Sequence, residues 1–330
     1  MKMRLSYVPR ADDIIGVAFR KANKEGGQVK KIKDRDKRKK TIEANKIKIA
    51  EKYLGAELKK IVKETPSIEE LHPFYRELMA SAVSLDEYKK SLGQLQKIPK
   101  LLSRVRSESM RQIFSSRDSE KAFAARKKFF ARAASLVESA DKSLSLLRRV
   151  SIESKKFPKI NFALPTIALA GFPNAGKTTI LKRLTGSEPE IAPYPFTTKE
   201  VKLGHFEFRY QKIQVIDTPG LLDRPQKNLV EKKALSALKH LAQLVVFIFD
   251  PTKSCGFTVE EQFKLLEELK GELGGIPFIT VVNKADMANE GEIGEVSAKI
   301  SEFILSGEGT SEKELKEKIC ENLKERKLIE

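Results

Sequence analysis

Two domains of different class are predicted: an all-α helical bundle over residues 1–160, then an α/β domain over residues 161–330 with a mostly parallel sheet and helices on both faces. Three observations predict it. The chain has 330 residues, which suits two domains of ~100–200 residues each. Charge is split unevenly. Residues 1–160 hold 40 of the 63 Lys+Arg and 20 of the 45 Asp+Glu, a net of +20, while the remaining 23 basic and 25 acidic residues come to −2. The texture also changes near Thr166, from long helix-compatible stretches to short apolar runs alternating with helical ones.

The first half is rich in Lys, Glu, Leu and Ala, poor in Gly, and free of β-branched runs, all of which favour helix. Leu54, Leu58, Ile61 and Val62 recur at helical spacing as one apolar stripe. Thr65-Pro66-Ser67 ends that helix, and Ser67 with Glu70 reads as a capping box opening the next; Ser84 with Glu87 repeats the signal. Tyr88, Leu92, Leu95, Leu101, Leu102 and Val105 continue the apolar series, with Pro99 marking a kink or boundary. Phe123, Phe129, Phe130, Leu136, Leu144 and Leu147 complete it and read as bundle core rather than a base-stacking platform. Short breaks between helices favour antiparallel neighbours, and Phe157-Pro158-Lys159 reads as the linker out.

Beyond the linker, Thr166–Ala170, Ile213–Ile216, Leu244–Phe249 and Phe278–Val282 are bounded by Gly, Pro or Asp and read as the core strands of a βαβ rhythm. Val201–Tyr210 reads as a longer strand, antiparallel and at an edge. Ile293, Val296 and Ile300 read as one face of a crossover helix, with Phe303–Leu305 as the last strand.

Several function classes drop out. Two cysteines, Cys255 and Cys320, and three histidines build neither a disulfide scaffold nor a Cys/His zinc site. They read as inert thiols and structural imidazoles in a reducing, cytoplasmic setting. The apolar stretches around Phe162–Phe172 and Leu244–Phe249 are far short of the ~20 residues a spanning helix needs, and no signal peptide is expected.

The chemistry lies in the second half. Gly171-Phe172-Pro173-Asn174-Ala175-Gly176-Lys177-Thr178 fits the phosphate-loop pattern, after a β-like run and before a helix-compatible one starting at Thr179. Its glycines let the backbone turn N–H groups toward phosphate, and a helix N-terminus adds partial positive charge. Lys177 then reaches the β- and γ-phosphates and the Thr178 hydroxyl ligates Mg²⁺. Asp217-Thr-Pro-Gly220 ends the next core strand, where Asp217 can hold Mg²⁺ through water and the Gly220 amide can sense a γ-phosphate. Between the two motifs, Pro193-Tyr-Pro-Phe196-Thr197-Thr198 lies where a switch loop crosses a nucleotide, and either threonine can complete the Mg²⁺ shell.

Asn283-Lys284-Ala-Asp286 follows another core strand. A carboxylate there accepts the N1 and exocyclic N–H groups of guanine, which adenine lacks. A loop under the base has two possible locations. Ser297-Ala298 is tempting, but Val296 lies only ten residues after Asp286, fewer than the dozen or so that a parallel crossover takes. Ser306-Gly307 is therefore preferred.

GFPNAGKT, the YPFTT stretch and DTPGLLDRP together resemble the Obg-like branch of GTPases. Leu71-His-Pro-Phe-Tyr75, Tyr88-Lys-Lys-Ser-Leu92-Gly-Gln94 and Asp250-Pro-Thr-Lys-Ser-Cys255-Gly-Phe-Thr-Val-Glu-Glu-Gln262 narrow the match to the nucleolar GTP-binding protein (Nog-type) family in its short archaeal form, over nearly the whole chain. The resemblance implies a P-loop GTPase domain behind a helical bundle, acting in maturation of the large ribosomal subunit. It implies Thr178 and Thr198 as Mg²⁺ ligands, Lys177 on phosphate, and Asn283, Lys284 and Asp286 on guanine. Leu221 follows Gly220 where Ras-like enzymes keep a water-orienting glutamine, so slow hydrolysis without a stimulator is expected. Asn174 resembles the asparagine with which some such GTPases hold K⁺ near the phosphates. Lys177, Thr198, Gly220 and Asn174 are thus the candidate catalytic groups.

In the basic half, Lys30, Lys31, Lys33, Arg35, Lys37, Arg38, Lys39 and Lys40 form the densest positive segment, and Lys121, Arg126, Lys127, Lys128 and Arg132 a second. Such residues bind phosphates without reading sequence, and a basic bundle suits the shape of RNA helices. The expectation is a monomeric GTPase switch that binds large-subunit rRNA or a pre-ribosomal particle. The competing reading is a GTPase that regulates a protein partner, with the bundle as its docking domain.

Overall fold

The computed structural model describes residues 6–29, 32–116, 118–193, 200–217, 222 and 235–326. They form two compact units. One comprises residues up to 71 together with 83–155; the other comprises 72–82 together with the residues from 156 onward. The division at 160/161 read from sequence differs from this one chiefly by the segment 72–82.

The helical unit contains α1 (Ala11–Gly26), α2 (Arg35–Glu64), α4 (Leu85–Ser115), α5 (Ser119–Glu138) and α6 (Asp141–Ser154). Side chains at three- and four-residue spacing bury one stripe of each: Ile47, Leu54, Leu58 and Ile61 on α2, Leu95, Ile98, Leu102 and Val105 on α4, Phe129, Ala133 and Val137 on α5. Local caps fix the starts. The Asp34 carboxylate accepts from the amides of Asp36 and Lys37, Ser84 from Glu87, and Asp118 from Glu120. Gln94 ties α4 to α6, donating to the Ser139 carbonyl at 2.9 Å and accepting from Ser143 Oγ at 2.8 Å.

Three local expectations are corrected. Helix α4 runs unbroken through Pro99, so that proline is no boundary; it is buried within the helix. Ser67–Glu70 closes only a turn, with the Ser67 amide donating to Glu70 Oε2 at 3.0 Å, and the next helix waits until Pro73, a residue suited to a first helical position. Phe123 is 54% exposed, although Phe129 is fully buried.

The second unit is built on a seven-stranded sheet: β1 (Thr166–Ala170), β2 (Glu190–Pro193), β3 (Glu200–Phe208), β4 (Gln211–Asp217), β5 (Leu244–Phe249), β6 (Phe278–Val282) and β7 (Ile304–Leu305). The order is β2-β3-β4-β1-β5-β6-β7. Strands β4, β1, β5, β6 and β7 are parallel; β2 and β3 are antiparallel additions. Strand β3 is therefore internal, covered by the short β2, and not the expected edge. All residues of β1 and β5 are buried, as befits strands covered on both faces. The helices are α7 (Lys177–Thr185), α8 (Val259–Glu272), α9 (Glu290–Ser297) and α10 (Glu312–Glu325), with a further helical stretch at 235–239.

Helix α3 (Pro73–Ala82) belongs to this unit although it comes from the first half of the chain. Phe74, Tyr75, Leu78 and Met79 are buried, each such apolar burial contributing about 1.5–3 kcal/mol. His72 stacks on Phe162 with ring centroids 3.7 Å apart, and Tyr75 packs edge-on to Phe162 at 5.2 Å. The Tyr75 hydroxyl donates to the Pro158 carbonyl at 2.9 Å. The Asn161 amide then donates to Gln214 Oε1 at 3.3 Å, and Gln214 Nε2 donates to Thr166 Oγ1 at 3.0 Å. Helix α3 is thus tied to the amino-terminal ends of β1 and β4, opposite the edge that carries the motifs. Burial, followed by repulsion from His240, lowers the His72 pKa and favours the neutral ring.

Candidate active site

Strand β1 lies at the centre of the sheet, where chain direction diverges to either side. The crevice outside the carboxyl ends at such a point is where open α/β sheets bind ligands. A cavity of about 910 Å³ opens there, lined among others by Lys177, Thr178, Asp217, Asn283, Asp286 and Gly307. It brings to one place motifs that are over a hundred residues apart in sequence.

The phosphate loop leads from β1 into the N-terminus of α7. Gly176 has φ +101°, and a Cβ there would collide with Asn283 Nδ2, so only glycine fits. Lys177 is 7% exposed, and its ammonium donates to the Gly171 and Phe172 carbonyls, both at 2.7 Å. The Phe172 ring turns away and stacks on Phe257 at 3.8 Å, so only its backbone faces the loop. Pro173, Asn174 and Thr179 are exposed and line the cavity, while Ala175 is buried beneath it. Thr178 Oγ1 donates to Asp217 Oδ2 at 3.0 Å. A hydroxyl and a carboxylate oxygen side by side are hard ligands of the kind Mg²⁺ takes. Among the described residues no group of three or more His, Cys, Asp or Glu is placed to hold a metal ion. Phe196, Thr197, Thr198, Gly220 and Leu221 lie outside the described residues.

The base side is equally organised. Asn283 Nδ2 donates to the Ala175 carbonyl at 3.1 Å, and Ser306 Oγ donates to Asn283 Oδ1 at 3.4 Å. The Ala285 amide donates to the Ser306 carbonyl at 3.1 Å. Asp286 is exposed in the cavity with its carboxylate against Gly307, so close that a Cβ at 307 would displace it. Ser297 ends α9 on the surface, its hydroxyl donating to the Ile293 carbonyl, and is absent from the cavity lining.

Residues 3–161 match the family described as NOG1 N-terminal helical domain, and residues 166–284 the family described as 50S ribosome-binding GTPase. An uncharacterised protein of Methanocaldococcus jannaschii is 37% identical over 76% of this chain and 70% of its own length. The chain belongs to the Nog-type GTPase family. Nucleolar GTP-binding protein 1 of Drosophila melanogaster is 29% identical, and that of Saccharomyces cerevisiae 28%, each over 97% of this chain and 51% of the relative. The chain thus spans about half the length of these curated relatives. It carries a P-loop GTPase domain behind a helical one in sequence.

Three side chains of this Nog-type site carried no predicted role. Asp250, at the end of β5, is fully buried and accepts from Thr252 Oγ1 (2.6 Å), Ser254 Oγ (2.9 Å), the Cys255 amide (2.9 Å) and Lys284 Nζ (2.6 Å). Burial pushes its carboxyl up, but bonds from Lys284, Thr252 and Ser254 outweigh this and hold it below the ordinary carboxylate range. Lys284, at φ +56°, also donates to Ser254 Oγ at 2.7 Å and to the Asn174 carbonyl at 3.1 Å. The motif from Asp250 to Cys255 therefore anchors the lysine that bridges the base and phosphate loops. Arg183 on α7 donates to Ser306 Oγ at 2.7 Å and to the Thr310 carbonyl, joining the phosphate-loop helix to the base loop. Lys202 on β3 donates to Thr178 Oγ1 at 3.0 Å. Asp250 stood inside a quoted motif; nothing in the sequence marks Arg183 or Lys202.

In the helical unit, Lys33, Arg35, Lys37, Arg38 and Lys39 are exposed around the start of α2, and Lys127 and Lys128 on α5. Lys30 and Lys31 lie outside the described residues. Lys40 donates to the Ser116 carbonyl at 2.5 Å. Arg126 is taken up internally: it pairs with Glu43 and lies over the rings of Phe123 and Phe130, 4.8 and 5.1 Å from their centroids. Its side chain is only 14% exposed. No helix among the described residues is long and apolar enough to cross a membrane.

Proposed function

We propose that this GTPase is a cytoplasmic switch in assembly of the large ribosomal subunit, binding rRNA through its helical half. The observation that carries the RNA reading is the net charge of +20 within residues 1–160. Its placement adds support. Arg35, Lys37, Arg38 and Lys39 crowd the first turns of α2, where the helix dipole disfavours cations, a local cost that a bound polyanion removes. The description of residues 166–284 as a 50S ribosome-binding GTPase and the relatives' nucleolar name point the same way.

In the nucleotide reaction, Lys177 leaves the loop carbonyls for the β- and γ-phosphates, and the N-terminus of α7 faces the same charge. Asp286 accepts both guanine donors, while Gly307 leaves room for its carboxylate. Thr178, Asp217 and Thr198 would hold Mg²⁺, which would neutralise charge on the transferring phosphoryl group. Asn174 would hold K⁺, which would add positive charge toward the phosphates. With Leu221 unable to orient water, turnover is slow until a partner supplies what the site lacks. A hydrolysis rate indifferent to exchange of Na⁺ for K⁺ removes the potassium role.

Crosslinking the chain to ribosomal precursors, with and without a non-hydrolysable GTP analogue, tests the whole reading. Crosslinks concentrated on large-subunit rRNA and changed by the analogue are expected. Crosslinks to a single protein, with none to RNA, transfer the role to the protein-partner alternative.

A further inference from the structure

The Thr178 hydroxyl is held from two sides: it donates to Asp217 Oδ2 and accepts from Lys202 Nζ, both at 3.0 Å. The antiparallel register of β3 and β4 sets Lys202 directly opposite Asp217. Val201 and Leu203 are buried on either side of it along the strand, while Lys202 itself reaches the cavity that holds Thr178. An ammonium group therefore rests on the oxygen that, in the proposed metal site, is a Mg²⁺ ligand.

A threonine hydroxyl has one hydrogen and two lone pairs. Its hydrogen is committed to Asp217, so any cation must approach through a lone pair. Two cations on one oxygen, one of them divalent, repel strongly in a partly buried pocket. The hydroxyl can serve the ammonium or the metal, but not both at full strength.

We propose that Lys202 competes with Mg²⁺ for the Thr178 hydroxyl, so that binding of the metal–nucleotide complex expels the ammonium and loss of the metal lets it return. The competition sets the Mg²⁺ concentration at which the site holds nucleotide. The inference rests on the assignment of Thr178 and Asp217 to Mg²⁺.

The test is a titration of fluorescent GDP binding to the full chain across free Mg²⁺, from chelator to millimolar, for wild type, Lys202→Met and Lys202→Gln. Both variants remove the charge and keep a side chain of similar reach, so either one alone suffices if the other folds poorly. The expected result is a Mg²⁺ midpoint lowered about tenfold in the variants, as loss of a competing charge requires. An unchanged or raised midpoint overturns the competition. So does a loss of affinity in chelator at constant midpoint, which makes Lys202 a phosphate ligand. Wild-type binding with no Mg²⁺ dependence overturns the metal assignment itself, a different failure from the other two.

Discussion

In the helical unit the exposed cations lie on helix surfaces, Arg35, Lys37, Arg38 and Lys39 at the start of α2 and Lys127 and Lys128 on α5. In the GTPase unit the polar groups converge on the carboxyl edge of one sheet, where Lys177, Asp250, Lys284 and Asn283 are buried or half-buried: Lys177 bonds to the Gly171 and Phe172 carbonyls, Asn283 to the Ala175 carbonyl, and Lys284 to Asp250. Dispersed charge suits a ligand recognised by its phosphates over a wide surface, and affinity is then shared among many weak contacts. Convergent charge suits a small ligand recognised atom by atom, and single changes are severe. The difference teaches where mutational sensitivity lies.

The largest expected effect is on the convergent side. Lys177→Met removes the charge assigned to the β- and γ-phosphates; GTP affinity is expected to fall about a thousandfold in equilibrium binding, with RNA affinity unchanged. Asp286→Ala comes next, weakening GTP by about a hundredfold while leaving the weak binding of ATP where it was; equal losses for both nucleotides would break the base-reading role. On the dispersed side it takes several changes to match that. Lys37, Arg38, Lys127 and Lys128 all converted to Glu are expected to weaken rRNA binding by about a hundredfold in a filter or gel assay, with GTP binding intact. Arg126→Ala, by contrast, removes an internal ion pair and lowers stability rather than RNA affinity.

Asp250→Asn sharpens the comparison further, because it touches no ligand. It takes the charge from beneath Lys284, whose side chain is 23% exposed, and GTP affinity is expected to fall about tenfold, as seen in calorimetry. The lowered pKa of Asp250 fixes the sign of its pH effect. Its stabilisation is fully present above the ordinary carboxylate range, near pH 4, and is lost as pH falls through the lowered value. Base affinity should therefore stay level through neutral pH. The smallest effect is Tyr75→Phe, which removes a buried hydroxyl that donates to the Pro158 carbonyl and accepts from the Ile160 amide, and should cost about 1 kcal/mol in denaturant unfolding with nucleotide binding unaltered.

Much of the GTPase unit was legible because its signals are local. A glycine-rich loop, a carboxylate at a strand end and an Asn-Lys-x-Asp run each follow a short apolar run, and β1, β5 and β6 appear with the bounds that composition suggested. What escaped reading was set by distant partners. Strand β3 has no sequence mark telling it that β2 will cover its outer side. Arg183 and Lys202 look like surface cations until α7 and β3 carry them to the pocket. Helix α3 looks like one more bundle helix, yet its aromatic face finds Phe157 and Phe162, more than eighty residues on. Phe123 shared helical spacing with Phe129 only approximately and falls on the outer face of α5. The cysteines met expectation: both are buried, and burial pushes the Cys320 thiol up to about 12.

The division of labour between the two units is tested most directly by the affinity of the full chain for a large-subunit rRNA fragment across a salt series. If the basic half holds an RNA helix through about four phosphates, affinity should fall roughly a hundredfold between 50 and 200 mM salt, along a straight line in logarithmic coordinates. Affinity that is flat across that range, or no RNA binding at the lowest salt, would contradict the account and leave the positive charge without its partner.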